Sequence, residues 1–147
     1  PEGAIDQRYT SAWLYGAVRP GTDDAFALVM TTTNTAAMQA FLDRFAAQLP
    51  QRTHAALLLD GAAWHTALDL KVPANVSLIR LPPYSPQLNP VERVWLYLRE
   101  RFLSLRLFDD LGAIVDGCCD AWNRLANEPG RLASLTDYPY LRKVRNS

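Results

Sequence analysis

Cysteine is scarce: the chain holds two, Cys118 and Cys119, side by side. Neighbouring side chains on a helix diverge by about 100°, so the pair does not close an ordinary disulfide. Adjacent thiols match no zinc spacing either. Both read as small buried hydrophobes in a reducing compartment. No apolar run approaches the roughly 20 residues of a membrane span. The opening residues show no signal-peptide pattern, so the expected location is cytoplasmic. A glycine-rich phosphate loop is missing, as is any recognisable nucleophile–base pair, which argues against an ordinary nucleotide-binding or hydrolytic enzyme. A charge excess is missing too. Fifteen basic and fifteen acidic residues give zero net charge, unlike a dedicated nucleic-acid binder. No repeat, low-complexity segment or linker divides the chain, so residues 1–147 read as one domain. The start at Pro1 rather than Met reads as a fragment.

What is present is a hydrophobic fraction of 49%, ample for a core. Four apolar runs read as strands. Ser11–Val18 and Ala25–Met30 flank Arg19-Pro20-Gly21-Thr22-Asp23-Asp24, turn chemistry that predicts an antiparallel hairpin. Ala55–Leu59 has no polar alternation and ends at Asp60-Gly61, which predicts a parallel strand covered on both faces. Val76–Leu81 is the fourth run. Met38, Phe41, Leu42, Phe45 and Leu49 share one helical face, with Asn34 or Thr35 as its cap. Residues 62–70 suit a short helix. Val91, Val94, Trp95, Leu98 and Phe102 line another helix. Leu111, Ile114, Val115, Cys118, Trp122 and Leu125 line a last one, begun by Asp109 or Asp110 and stopped before Pro129-Gly130. A hairpin followed by helix-linked strands predicts an α/β fold, a mixed sheet with flanking helices.

Two carboxylates stand at structural breaks. Asp60 directly follows the most apolar strand, at the sheet end where α/β proteins gather ligands. It is also an ordinary turn residue. Glu92 follows Leu81-Pro82-Pro83-Tyr84-Ser85-Pro86-Gln87-Leu88-Asn89-Pro90-Val91. Asn89 as N-cap, Pro90 at the first helical position and Glu92 at the third make a capping box. Capping does not explain the four prolines before Glu92, which form a rigid loop that fixes where the helix starts. Two acids brought together repel unless a cation neutralises them. Hard divalent ions accept that oxygen set, and paired ions suit phosphoryl transfer. Residues 1–60 carry four basic and six acidic groups, and from Glu92 onward there are nine basic and eight acidic. Arg142, Lys143 and Arg145 form the densest basic cluster, either a solvated terminus or a phosphate contact.

LLLDGAAWH and LPPYSPQLNPVERVWLYLR resemble the second- and third-acid motifs of the DDE domain of mariner-like bacterial insertion-sequence transposases. The separation of Asp60 and Glu92 by 32 positions also fits that superfamily. The resemblance implies an RNase H-like fold with Asp60 and Glu92 as catalytic ligands of Mg²⁺ or Mn²⁺. It implies double-stranded DNA, transposon ends and target, as partner, and DNA cleavage with strand transfer as activity. It implies a bacterial, nucleoid-associated protein. His65, Arg93 and Arg99 are candidate contacts to DNA or a ligand, Asn89 the structural cap of the Glu92 helix, and Trp95 a core residue.

The chain departs from the family before the hairpin. No apolar strand ending in Asp precedes Ser11, and neither Glu2 nor Asp6 is a convincing substitute. The first central strand, with its catalytic Asp, and the helix-turn-helix region are therefore expected to be lacking. Two consequences are expected: little or no strand transfer by this chain alone, and either association with a second copy or a strand-completing partner or a sheet closed in a rearranged way. The competing reading is a non-catalytic DNA-binding or interaction remnant of a transposase.

Overall fold

The computed structural model describes residues 12–60, 68–82, 88–103 and 108–141. In chain order these form β1 (Trp13–Val18), β2 (Ala25–Met30), α1 (Thr35–Gln48), β3 (Ala55–Leu59), β4 (Val76–Arg80) and α2 (Val91–Leu98). A π turn (Arg99–Leu103), α3 (Leu111–Ala126), α4 (Arg131–Leu135) and a 3-10 turn (Pro139–Leu141) follow. They belong to two compact units: residues 1–31 with 90–147, and residues 32–89. The fold is mixed α/β, as expected. Its strands make two two-stranded sheets, β1–β2 and β3–β4. Among the described residues no further strand joins either sheet.

In the first unit β1 and β2 pair antiparallel, Trp13 opposite Met30 and Val18 opposite Ala25. The expected hairpin forms, beginning two residues later than its apolar run. Val91, Val94, Trp95 and Leu98 of α2 pack with Leu14, Leu103, Ala121, Leu125 and Leu132. Asp110 caps α3, its Oδ1 accepting the Ala113 N–H at 2.8 Å. The buried stripe of α3 is Ile114, Gly117, Cys118, Ala121 and Leu125. Small residues there admit large neighbours: the Phe108 ring lies where a Cβ on Gly117 would be, 2.5 Å from it. Trp122 and Val115 are consequently only half-buried. Cys118 is buried, but Cys119 is exposed. The expectation that both thiols are core residues fails because neighbours on a helix face different ways.

A second correction concerns Phe102. α-Helical periodicity places it with Leu98 on the buried face. The helix instead turns π at Arg99, and Leu103 takes the buried position. A five-residue step from Leu98 to Leu103 matches i→i+5 geometry. Phe102 is left half-buried, against Tyr97, itself five residues earlier; the ring centroids are 6.1 Å apart and edge-to-face.

The hairpin turn does more than reverse the chain. Asp23 Oδ2 accepts the Gly130 N–H at 2.8 Å and Oδ1 accepts the Ala133 N–H at 3.0 Å. It caps α4 from more than a hundred residues away. Beside it, Gly21, at φ 74°, donates its N–H to Thr136 Oγ1 at 2.9 Å. Thr136 is fully buried, and its hydroxyl donates to the Leu132 carbonyl at 2.7 Å. The Ala133 and Gly130 N–H donors hold the Asp23 carboxyl below its ordinary value of 3.8. A depressed carboxyl stabilises the fold above its unfolded pKa, and that contribution disappears as pH falls through the folded value. Asp23→Asn should therefore lower the urea midpoint at pH 6. The gap from the parent chain should close as pH falls below about 3.8. A gap that stays constant down to pH 2.5 would contradict the cap.

In the second unit Asn34 caps α1, its Oδ1 accepting the Ala37 N–H at 2.9 Å. Ala37, Met38, Phe41, Leu42, Phe45 and Ala46 form the buried face of α1. Strands β3 and β4 run parallel, Ala55 opposite Val76 and Leu59 opposite Arg80. Three side-chain bonds tie α1 to the segment leading into β4: Asn75 Nδ2 donates to the Ala46 carbonyl, and Gln39 exchanges bonds with the Lys71 backbone. The expected complete cover of β3 is absent. Leu59 alone is buried, Leu57 and Leu58 are half-buried, and Ala56 is exposed. The expected helix over 62–70 falls mostly outside the described residues; Leu68 and Asp69 lie in a turn.

Candidate metal centre

Asp60 takes its position from the β3–β4 ladder. The last ladder contact is Leu81 N–H to the Leu59 carbonyl at 2.8 Å. Asp60 is the next residue, half-buried, at the carboxyl end of both parallel strands. His54 lies at the opposite end of β3, its Nε2 2.8 Å from Ser77 Oγ, so its role is to join the strands.

Glu92 is half-buried in the first turn of α2. A carboxylate there is favoured by the unpaired N–H groups of the helix start. The cap position falls on Pro90, one residue beyond the expected Asn89. Pro90 has helical dihedrals, φ −58° and ψ −25°, and itself offers no side-chain cap bond. The fixed ring angle of proline starts this helix. Pro90 is buried and Asn89 half-buried, which anchors the approach to Glu92.

Arg93 stacks its guanidinium 4.5 Å from the centre of the buried Tyr138 ring. Arg99 is exposed at the start of the π turn. His65, Glu2, Asp6, the stretch 83–87 and the basic tail residues Arg142, Lys143 and Arg145 lie outside the described residues.

Asp60 and Glu92 belong to different compact units. Among the described residues no three His, Cys, Asp or Glu side chains gather into a metal-holding group. Oxygen donors at both positions suit a hard divalent cation in kind. Trp95 is core, as expected, 4% exposed. Arg101 and Arg124 at the Phe102 ring and Arg131 at the Tyr97 ring form a basic and aromatic cluster that depends on the π turn and that helical periodicity does not show.

The model of the DDE superfamily endonuclease family matches residues 3–115, a span that includes Asp60 and Glu92. The chain belongs to that family, a class of endonucleases that generally use divalent metals and act on DNA. A protein of Sinorhizobium fredii described as "Uncharacterized protein y4pE/y4sA" is 44% identical over 124 residues, covering 84% of this chain and 92% of that protein. No solved structure matches. No helix among the described residues is long and apolar enough to cross a membrane.

Proposed function

We propose that this chain contributes Asp60 and Glu92, as second and third acids, to the metal-dependent DNA-cleaving centre of an insertion-sequence transposase in the bacterial cytoplasm. The observation carrying this reading is their position. One carboxylate ends a parallel strand, the other begins a helix, and both lie within the span matched to an endonuclease family. Mg²⁺ or Mn²⁺, when bound, supplies positive charge to activate the attacking oxygen and stabilise the leaving one. Asp60 and Glu92 hold that charge. Pro90 and the β3–β4 ladder fix where the two side chains start. His65, Arg93 and Arg99 are proposed to contact DNA, and Asn89 to support the loop before Glu92.

Two carboxylates hold a pair of ions poorly, so strand transfer by this chain alone should be little or none. Supercoiled plasmid incubated with the chain and Mg²⁺ or Mn²⁺ tests this. Robust nicking that is absent in EDTA and lost in Asp60→Ala would show a complete centre and refute the impairment. A non-catalytic DNA-binding or interaction module is the second reading.

Association with a second copy or a strand-completing chain belongs to the same proposal. Parallel strands are ordinarily covered on both faces, and two strands alone are marginal. Yet β3 is half-covered, β2 has no fully buried residue, and Ile79 of β4 is 45% exposed. Sedimentation velocity should show mass rising with concentration. A sharp monomer at every concentration would contradict association.

A further inference from the structure

We propose that the first unit carries a second DNA-binding surface, a metal-independent clamp for duplex phosphates built from Arg101, Arg124 and Arg131 on the Tyr97–Phe102 ring pair. The guanidinium carbons of Arg101 and Arg124 lie 5.7 and 5.6 Å from the centre of the Phe102 ring. That of Arg131 lies 5.2 Å from the centre of the Tyr97 ring. The three arginines come from three elements, the π turn, α3 and α4, and all are exposed. The π turn creates the platform, because it sets Tyr97 and Phe102 five residues apart on one side. π turns recur at functional sites.

The electrostatics point to an anionic partner. Two guanidinia sharing one ring cannot be farther apart than the sum of their distances to it. That separation is comparable with the screening length of about 10 Å at 0.1 M salt. Neutralisation within the chain is loose: Arg124 Nε is 3.9 Å from Asp120, and Arg131 Nε is 3.9 Å from Glu128. Glu128 also accepts the Tyr97 hydroxyl at 3.0 Å, which divides its charge between two donors. A ring under a guanidinium holds its plane and leaves the in-plane N–H edge for oxygen acceptors. The rings are covered by the arginines, so they do not serve as platforms for unpaired bases. Duplex DNA supplies the required acceptor, with one phosphate charge per ~1.7 Å of axis. Arg124 and Arg131 lie beyond the span matched to the family, and the surface does not require Asp60 or Glu92.

Fluorescence anisotropy with a labelled 30-base-pair duplex in EDTA tests the clamp, using the full chain. Binding should weaken with salt. Arg101→Gln/Arg124→Gln/Arg131→Gln should lower the slope of log K against log salt by about 2–3, at ~0.9 per phosphate contact. Affinity at 0.1 M salt should fall on the order of 100-fold. Replacement of all three by Lys should restore most of the slope. If the triple Gln variant does not fold by circular dichroism, the single variants carry the test, each lowering the slope by about 0.9. Unchanged affinity and slope in the Gln variants would overturn the clamp. So would tighter binding to a single strand of equal length, or no salt-dependent binding by the parent chain. EDTA separates this result from the metal centre: binding without any nicking in Mg²⁺ or Mn²⁺ upholds the clamp whatever becomes of the carboxylates.

Discussion

Replacing Trp95 with Ala should lower stability by about 3–5 kcal/mol, the cost of removing a buried aromatic ring. Trp95 is 4% exposed in the middle of the first unit's core. It packs against Trp122, ring centroids 6.5 Å apart, and against the backbone of β1. A Cβ on Gly16 would stand 2.6 Å from Trp95 Cη2. Gly16 therefore has a packing reason to be glycine. Gly16→Ala should cost about 1–3 kcal/mol by overpacking. The indole carries a cost of its own, for its buried Nε1 has no partner among the described residues. An unpaired buried donor is unfavourable by about 1–3 kcal/mol. Trp95→Phe should thus be much milder than Trp95→Ala, since it keeps an aromatic ring in the core and removes the orphan N–H. Gly16→Ala combined with Trp95→Leu should be less destabilising than the two separate effects summed, by about 1 kcal/mol, since the smaller side chain makes room for the new methyl. Urea denaturation of Trp95→Ala, Trp95→Phe, Trp95→Leu, Gly16→Ala and the Gly16→Ala/Trp95→Leu double variant measures all of this. Strict additivity would mean that Gly16 and Trp95 do not meet.

What could be read in advance depended on how local its cause was. The hairpin, α1 and α3 were legible because Pro20-Gly21, Asn34 and Asp110 act within three or four residues of themselves. Trp95 was legible as core from its place on an apolar stripe. The π turn was not, because Leu98 and Leu103 choose their register from the packed helices around them. Asp23 reads as a turn residue in the sequence; its capping of α4 exists only after distant segments meet. Small residues hid the true buried stripe of α3: Gly117 and Ala121 are inconspicuous beside Trp122, but they let neighbours approach. The partial cover on β3 is not legible for a related reason: an apolar run shows what a strand can bury, not what is there to bury it.

The candidate site was legible in halves. Asp60 and Glu92 each mark a local break, a strand end and a helix start, so each is visible along the chain. Their joint action is not a local property. It is also the claim with the largest expected effect on function. If the two carboxylates share a divalent ion, removing either should nearly abolish binding, because a single carboxylate with water is a poor site. The parent chain should bind one Mn²⁺ with a dissociation constant on the order of 1 mM, about 4 kcal/mol. Asp60→Asn and Glu92→Gln should each weaken binding by about tenfold or more, and the double variant little further. Asp116→Asn, at an exposed carboxylate on α3, should leave binding unchanged. Loss of the free Mn²⁺ signal in electron paramagnetic resonance, titrated against protein concentration, reads this without any catalytic turnover. Parallel losses in Asp60→Asn and Glu92→Gln are the predicted result; equal Mn²⁺ binding by the parent and both variants would contradict a shared metal centre.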